Sequence, residues 1–192
     1  MRPGQCPGAH DLLPNERQME NYQEQTMSDF KLTGTRVEVL RHIPYGIHII
    51  TTRDSEGLHA ASVSWVMQMS FEPTRVAVAL RTSSRILQHV LNSEVFALNI
   101  MTREQDQMAQ AFFHYIHAGF DQNTLNGYRC RPGETACPLF VDAAAWIECQ
   151  NMCSIEDCGD HTLIIADVVE AGVRPGAFTP LGLWESPWSY GG

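Results

Sequence analysis

Arg81-Thr82-Ser83-Ser84 puts a guanidinium beside three hydroxyls, between a strand-like run and a helix-like run. A helix start offers free backbone N–H groups and the positive end of the helix dipole, so this junction suits an anion. Charge-assisted hydrogen bonds are worth about 1.5–3 kcal/mol each, and three or four can anchor a mononucleotide. The plain alternative is a helix cap beside a surface arginine. A second stretch, A-A-S-V-S-W-V-M-Q-M-S-F-E-P at 60–73, begins small and hydroxylic and turns apolar around Trp65. Small side chains let a backbone approach a flat ligand. Serines interleaved with apolar residues suit a strand with one polar and one buried face. Such a stretch can line a shelf for a ring system and hydrogen-bond its edge, or it is an ordinary half-buried strand. A third stretch, Gly159-Asp160-His161-Thr162, precedes an apolar run. There Asp can orient a ring nitrogen and His can donate to a carbonyl or carboxamide. The alternative is a turn before a strand. Tyr45-Gly46, Thr51 and Thr52 flank a strand close in sequence to the shelf, although Thr is also a good strand residue. Phe112, Phe113 and Tyr115, at a helix end, read as core or subunit contacts rather than a stack on a cofactor.

Other chemistries lack an anchor. There is no G-x-S-x-G elbow and no G-x-x-x-x-G-K-[ST] loop. Cys149, Cys153 and Cys158 have C-x3-C-x4-C spacing with His161 nearby, which invites a zinc reading. No C-x2-C pair is present and the flanks look like strand and loop, so the six cysteines are read as free thiols and no metal is expected. Net charge is -9, with 13 Lys and Arg against 22 Asp and Glu and no dense basic run. That composition argues against a nucleic-acid partner. No apolar run reaches membrane-spanning length, and the first ten residues have no apolar signal core, so a cytoplasmic location is expected.

These groups need elements to hold them. At 192 residues, 44% of them apolar, the chain supports one domain with a substantial core. Residues 1–30 are polar and rich in Pro, Gly, Gln and Glu; they read as a peripheral arm with a short helix around 15–25. Strands are predicted at 45–52, 58–65 continuing into 66–70 with a bend, 75–80, 94–100, 140–150 and 161–171. A turn is predicted at 54–57, and Pro73 ends a strand. Helices are predicted at 84–91, capped by Ser83 or Ser84, and at 102–113, with Thr102 and Gln105 as a capping box. Residues 120–135 read as loop. Strands outnumber helices and no G-x-G-x-x-G follows a strand, so a small closed β barrel with helices at its rim is preferred to a parallel α/β sheet.

The order of these pieces carries a resemblance. Y-G-I-H-I-I-T-T at 45–52, A-S-V-S-W-V-M-Q-M-S-F-E-P at 61–73, R-T-S-S-R-I-L at 81–87, F-A-L-N-I at 96–100, C-P-L-F at 137–140 and G-D-H-T-L at 159–163 together resemble the flavin reductase-like, FMN-binding split-barrel proteins. These include small reductase components of two-component monooxygenases and the flavoredoxin type. The resemblance implies a mainly β fold with α insertions, a six-stranded Greek-key-type split barrel with peripheral helices. It divides the chain into an arm at 1–35, the barrel domain at 36–185 and a tail at 186–192. It implies a homodimer with flavin near the subunit interface. Ser62, Val63, Ser64 and Trp65 would border the isoalloxazine and ribityl chain. Arg81, Ser83 and Ser84, with Thr82 between them, would hold the phosphate. Thr51, Thr52 and Asn99 would lie near the flavin, and His161 where a nicotinamide docks. The implied cofactor is FMN, with FAD sharing the same phosphate end. The implied reaction is hydride transfer from NAD(P)H, with reduced flavin or electrons passed to an oxygenase or other redox partner. The alternative is an electron-transfer flavoprotein without NAD(P)H turnover. Three departures stand out. Thr74 follows Pro73 where a second proline is common, Ala166 stands near the usual place of a glycine, and Ser84 stands where Thr is frequent.

Overall fold

The computed structural model describes residues 36–120, 123–156 and 158–188. The expected arm at 1–35, with its helix at 15–25, and residues 189–192 of the expected tail lie outside the described residues. The β-branched run near residue 50 forms strand β1 (His48–Asp54). It starts three residues later than expected because Tyr45 and Gly46 pair elsewhere. Gly46 bridges to Gly182, and the Tyr45 carbonyl accepts from Leu183 N at 2.8 Å. The turn at 54–57 forms as expected, with Asp54 Oδ1 accepting from Glu56 N at 2.8 Å. It leads into β2 (Gly57–Val63), antiparallel to β1. Gly57 has a φ of 145°, and a Cβ there would stand 2.4 Å from the Ala118 carbonyl, so only glycine fits the turn.

The expected bend at 64–65 is a change of place in the sheet. The remaining strands are β3 (Val66–Phe71), β4 (Thr74–Arg81), β5 (Phe96–Ile100), β6 (Ile116–Ala118), β7 (Thr124–Leu125), β8 (Tyr128–Pro132), β9 (Pro138–Phe140), β10 (Ala145–Ile155) and β11 (His161–Val173). The main sheet has the order β3-β4-β11-β10-β5-β1-β2-β6. Six spacings separate β2 from β3 in that order, about 29 Å across a flat sheet. Only Ser64 and Trp65 join them, so the Cα atoms of Val63 and Val66 stand at most about 11 Å apart. The sheet therefore has to curl until its ends meet, which makes it a barrel. The central run β4-β11-β10-β5-β1-β2 supplies its six staves, with the shorter β3 and β6 at the two ends.

One buried cluster takes a side chain from every one of those six strands: Ile50, Ala61, Val78, Leu98, Cys149 and Ile164. That cluster is the barrel interior. Helix α2 (Arg85–Ser93) plugs it with Ile86, Leu87 and Val90, the apolar positions of the predicted helix. Among the described residues a short helix, α1 (Arg36–Leu40), precedes β1. The helix expected at 102–113 is shorter and broken, a 3-10 turn at Arg103–Gln105 followed by α3 (Asp106–Ala111). Its capping box is present, with Gln105 Oε1 accepting from Thr102 N at 2.9 Å. The stretch read as loop at 120–135 contains β7 and β8, which join β9 in a separate three-stranded sheet.

Candidate functional site

The junction that closes the barrel also walls a cavity of about 400 Å³. That size is within the range of small-molecule sites. One wall is Ala61, Ser62 and Val63 of β2 with Ser64 and Trp65 of the link. Opposite lie Ala79, Leu80 and Arg81 of β4, followed by Ser84, Arg85 and Ile86 at the start of α2. Phe113, Tyr115, Leu183 and Trp188 complete an aromatic and aliphatic rim. The Phe113 and Trp188 rings meet edge to face at 4.7 Å.

The polar atoms along this lining are unequal. Ser62 is committed to the scaffold: its Oγ donates to the Ala109 carbonyl at 2.6 Å and its N–H to the Phe112 carbonyl at 2.7 Å. Ser64 Oγ and Ser84 Oγ are buried and have no hydrogen-bond partner among the described residues. A buried hydroxyl without a partner costs about 1–3 kcal/mol, so both invite a polar ligand. Ser84 is the N-cap residue of α2, with extended φ/ψ of -80° and 142°, yet its side chain makes no cap bond. The predicted capping role is thus made by position and not by hydroxyl. That leaves Ser84 Oγ and the start of α2 in the cavity lining together with Arg81 and Arg85.

His161 lies beside Arg81, with which the β4–β11 register pairs it. Thr82 N donates to the Asp160 carbonyl at 2.9 Å, and the Thr82 and Thr162 hydroxyls are 3.2 Å apart. Two motifs some eighty residues apart in sequence are thereby stitched together. Gly159, at a φ of 92°, makes the turn that aims them. The His161 side chain is 8% exposed and its ring packs on the Trp65 indole, with ring centres 4.5 Å apart. Asp160 Oδ1 lies 2.7 Å from His161 Nδ1, which donates to it. That bond, and the attraction of the imidazole, hold the exposed Asp160 carboxyl below the ordinary carboxylate range.

The structure brings Ser62, Val63, Ser64, Trp65, Arg81 and Ser84 to the cavity, with His161 behind Trp65. Thr82 and Ser83 occupy the exposed turn between β4 and α2. Thr51, Thr52 and Asn99 are buried and engaged elsewhere. Thr51 Oγ1 donates to the Pro138 carbonyl at 2.6 Å, and Thr52 Oγ1 to the Val95 carbonyl at 2.7 Å. Asn99 Oδ1 accepts from Phe140 N at 2.8 Å, and its Nδ2 donates to the Ile49 carbonyl at 3.3 Å. The contacts of Thr51 with Pro138 and of Asn99 with Phe140 fasten β9 to the barrel wall. Cys149 faces the barrel interior, whereas Cys153 and Cys158 are exposed. The sequence reading left Phe113, Tyr115, Arg85 and Trp188 out of the site. Arg85 was legible as the next residue of the anion motif. The others follow irregular segments that local patterns do not place.

Comparison with known proteins agrees with this architecture. The sequence profile described as "Flavin reductase like domain" matches residues 40–188. The NADPH-flavin oxidoreductase of Streptomyces viridifaciens is 29% identical over 137 residues, which cover 71% of this chain and 70% of that protein. The diflavin flavoprotein A 1 of Synechocystis sp. is 28% identical over 137 residues, 71% of this chain and 23% of that protein. The chain spans about a quarter of the length of the diflavin flavoproteins it matches. Among solved structures, the styrene monooxygenase flavin reductase from Pseudomonas putida S12 superposes with a TM-score of 0.66 at 25% identity, covering 83% of this chain and 97% of that one. Among the described residues no helix is long and apolar enough to cross a membrane.

Proposed function

The chain belongs to the flavin reductase like family, and from that premise we propose that it binds FMN in this cavity and uses NAD(P)H to reduce it. One observation carries the reading. Two buried hydroxyls without partners among the described residues, Ser64 Oγ and Ser84 Oγ, belong to the lining of one largely apolar cavity that also includes Arg81, Arg85 and a helix start. An amphipathic ligand with a flat ring system and a phosphate needs that distribution of groups. Arg81, Arg85 and Ser84 hold the phosphate. Ser64 and the small residues at 61–63 take the ring edge, and Trp65 with the aromatic rim excludes water from it. FAD offers the same phosphate end and is the second candidate. When bound, the flavin supplies the ring that accepts a hydride from the nicotinamide. His161 orients the nicotinamide against that ring rather than moving a proton, because Asp160 fixes the tautomer and direction of its imidazole.

The test is direct. Purified protein should oxidise NADH or NADPH only when FMN or FAD is supplied. A yellow protein that neither nicotinamide reduces would turn the reading toward an electron carrier fed by a redox partner. In the turnover assay, His161→Ala should raise the KM for the nicotinamide by about tenfold, the size of one lost hydrogen bond. FMN affinity should stay within about twofold, since its phosphate and ring contacts are untouched. An unchanged KM would remove His161 from the nicotinamide site.

The reading extends to assembly. Strand β3 ends the sheet order and leaves Met67, Met69 and Phe71 exposed, Phe71 by 86%. An apolar edge of this kind supports a homodimer through a second copy of the chain. Phe71→Asp should yield monomers in sedimentation analysis, because a carboxylate at that edge would have to be buried unpaired. A variant that stays dimeric would move the interface elsewhere. Reduced flavin or electrons leaving this site would pass to an oxygenase or another redox partner. The exposed Cys153 and Cys158 thiols suit the reducing cytoplasm.

A further inference from the structure

Behind the Tyr115 wall of the cavity, four side chains close a ring of hydrogen bonds. Asp54 Oδ1 lies 2.8 Å from His59 Nε2, and Asp54 Oδ2 lies 2.6 Å from His89 Nδ1. On the far side, Tyr115 Oη lies 2.7 Å from His59 Nδ1 and 2.8 Å from His89 Nε2. The two imidazoles stack between these bridges, 3.6 Å apart and 10° from parallel. Side-chain exposure is 0% for His59, 6% for Asp54 and 12% for His89.

Asp54, His59 and His89 are also, among the described residues, side chains whose ligand atoms lie close enough to hold a metal ion. The stacking argues against one. A nitrogen lone pair points in the plane of its ring, so two nearly parallel rings aim parallel lone pairs that do not converge on a single ion. All four ring nitrogens are, moreover, already engaged in the ring.

Proton counting gives the alternative. Four hydrogen bonds need four protons. An ionised Asp54, two neutral imidazoles and a phenol carry three. With three, Asp54 takes an N–H from each imidazole, and the two remaining lone pairs face one hydroxyl that can donate to only one of them. A fourth proton completes the ring and makes the cluster electrically neutral, which a buried site favours. It does not rest on Asp54. Burial pushes that carboxyl up, but hydrogen bonds from His89 and His59, with a third from Glu56 N, outweigh burial and hold it well below the ordinary carboxylate range. The proton therefore belongs to the imidazole pair, held there by the Asp54 carboxylate against the burial that lowers the pKa of His59.

We propose that Asp54, His59 and His89 are positioning residues that share one proton with Tyr115 and thereby fix the Tyr115 wall of the cavity, so that losing this proton loosens flavin binding. The binding half rests on the flavin reading above; the proton count does not. Other groups bear on the cluster. From α2, Arg85 stands over the Tyr115 ring at 5.8 Å. From β6, His117 stacks on His59 at 5.2 Å and is held by the Glu56 carbonyl, 3.0 Å away. The Glu56 carboxylate lies in the β1–β2 turn. Burial and the neighbouring His89 and His117 imidazoles oppose a positive charge on His59, and Asp54 favours one.

Two measurements test this. Nitrogen NMR of histidine-labelled protein at pH 6, without flavin, should show three N–H nitrogens among the four of His59 and His89, falling to two as pH rises. One N–H on each ring at pH 6 would overturn the shared proton, whether or not flavin binds. Separately, FMN affinity of the wild type should fall by about tenfold across that same transition, the size of one lost buried hydrogen bond. Tyr115→Phe keeps the ring as a wall but removes the hydroxyl, so its FMN affinity should lose this pH dependence. A Tyr115→Phe curve parallel to the wild type would overturn the positioning role. Absence of FMN binding at every pH would sink the flavin reading and the binding half with it, leaving the NMR result to decide the proton count.

Discussion

Ser84→Asp should weaken FMN binding by about a hundredfold or more, close to 3 kcal/mol. Two losses combine. The substitution removes a hydroxyl that has no partner of its own and is therefore available to the phosphate. A hydrogen bond to a charged group is worth about 1.5–3 kcal/mol. The substitution also sets a carboxylate against a phosphate at the N-terminus of α2, where Arg81 and Arg85 would now be shared between two anions. Fold stability should hold or rise slightly, because Asp is a good N-cap residue and a negative charge suits a helix start. Binding and stability thus move in opposite directions, which separates this outcome from simple misfolding. The checks are titration of FMN fluorescence quenching and a thermal melt on the same sample. Affinity within about threefold of the wild type would remove the phosphate assignment.

Asn99→Ala should do the reverse, costing about 3 kcal/mol of stability and leaving FMN affinity of the folded protein nearly unchanged. Asn99 is fully buried and links three segments of chain. Its loss leaves Phe140 N without an acceptor and the Ile49 carbonyl without this donor, and opens a small void under β9. Each deserted buried group costs about 1–3 kcal/mol. For a domain of this size the melting temperature should fall by roughly 6–12 °C. If FMN affinity drops while the melting temperature holds, Asn99 contacts the ligand and its place in the wall has to be redrawn.

The two residues show why the site was partly legible in the sequence. Ser84 was legible as a cavity-lining residue because its surroundings are local: strand, hydroxyls, arginine and helix start fall within a few consecutive residues. Asn99 was grouped with the flavin by family resemblance, but its partners at 49, 138 and 140 are distant in sequence. No local pattern distinguishes a strand residue that faces a ligand from one that faces a second sheet. Element types followed from periodicity for β1, β4, β5, β11 and α2. The barrel did not, because the bend at Ser64-Trp65 looks the same whether a strand kinks or crosses to the other end of the sheet. The four-residue ring around His59 and His89 joins β1, β2, α2 and the segment after α3, and nothing in the spacing of its members announces it.

The two-residue link from β2 to β3 has a last consequence. It is at once the seam that shuts the barrel and a wall of the cavity. The ligand pocket therefore cannot survive in a partly opened molecule: parting the seam dissolves the pocket, and filling the pocket clamps the seam. Ligand affinity and the cooperativity of unfolding draw on the same free energy. The site is a keystone of the fold rather than a decoration on its surface, and any bound flavin shares in holding the arch closed.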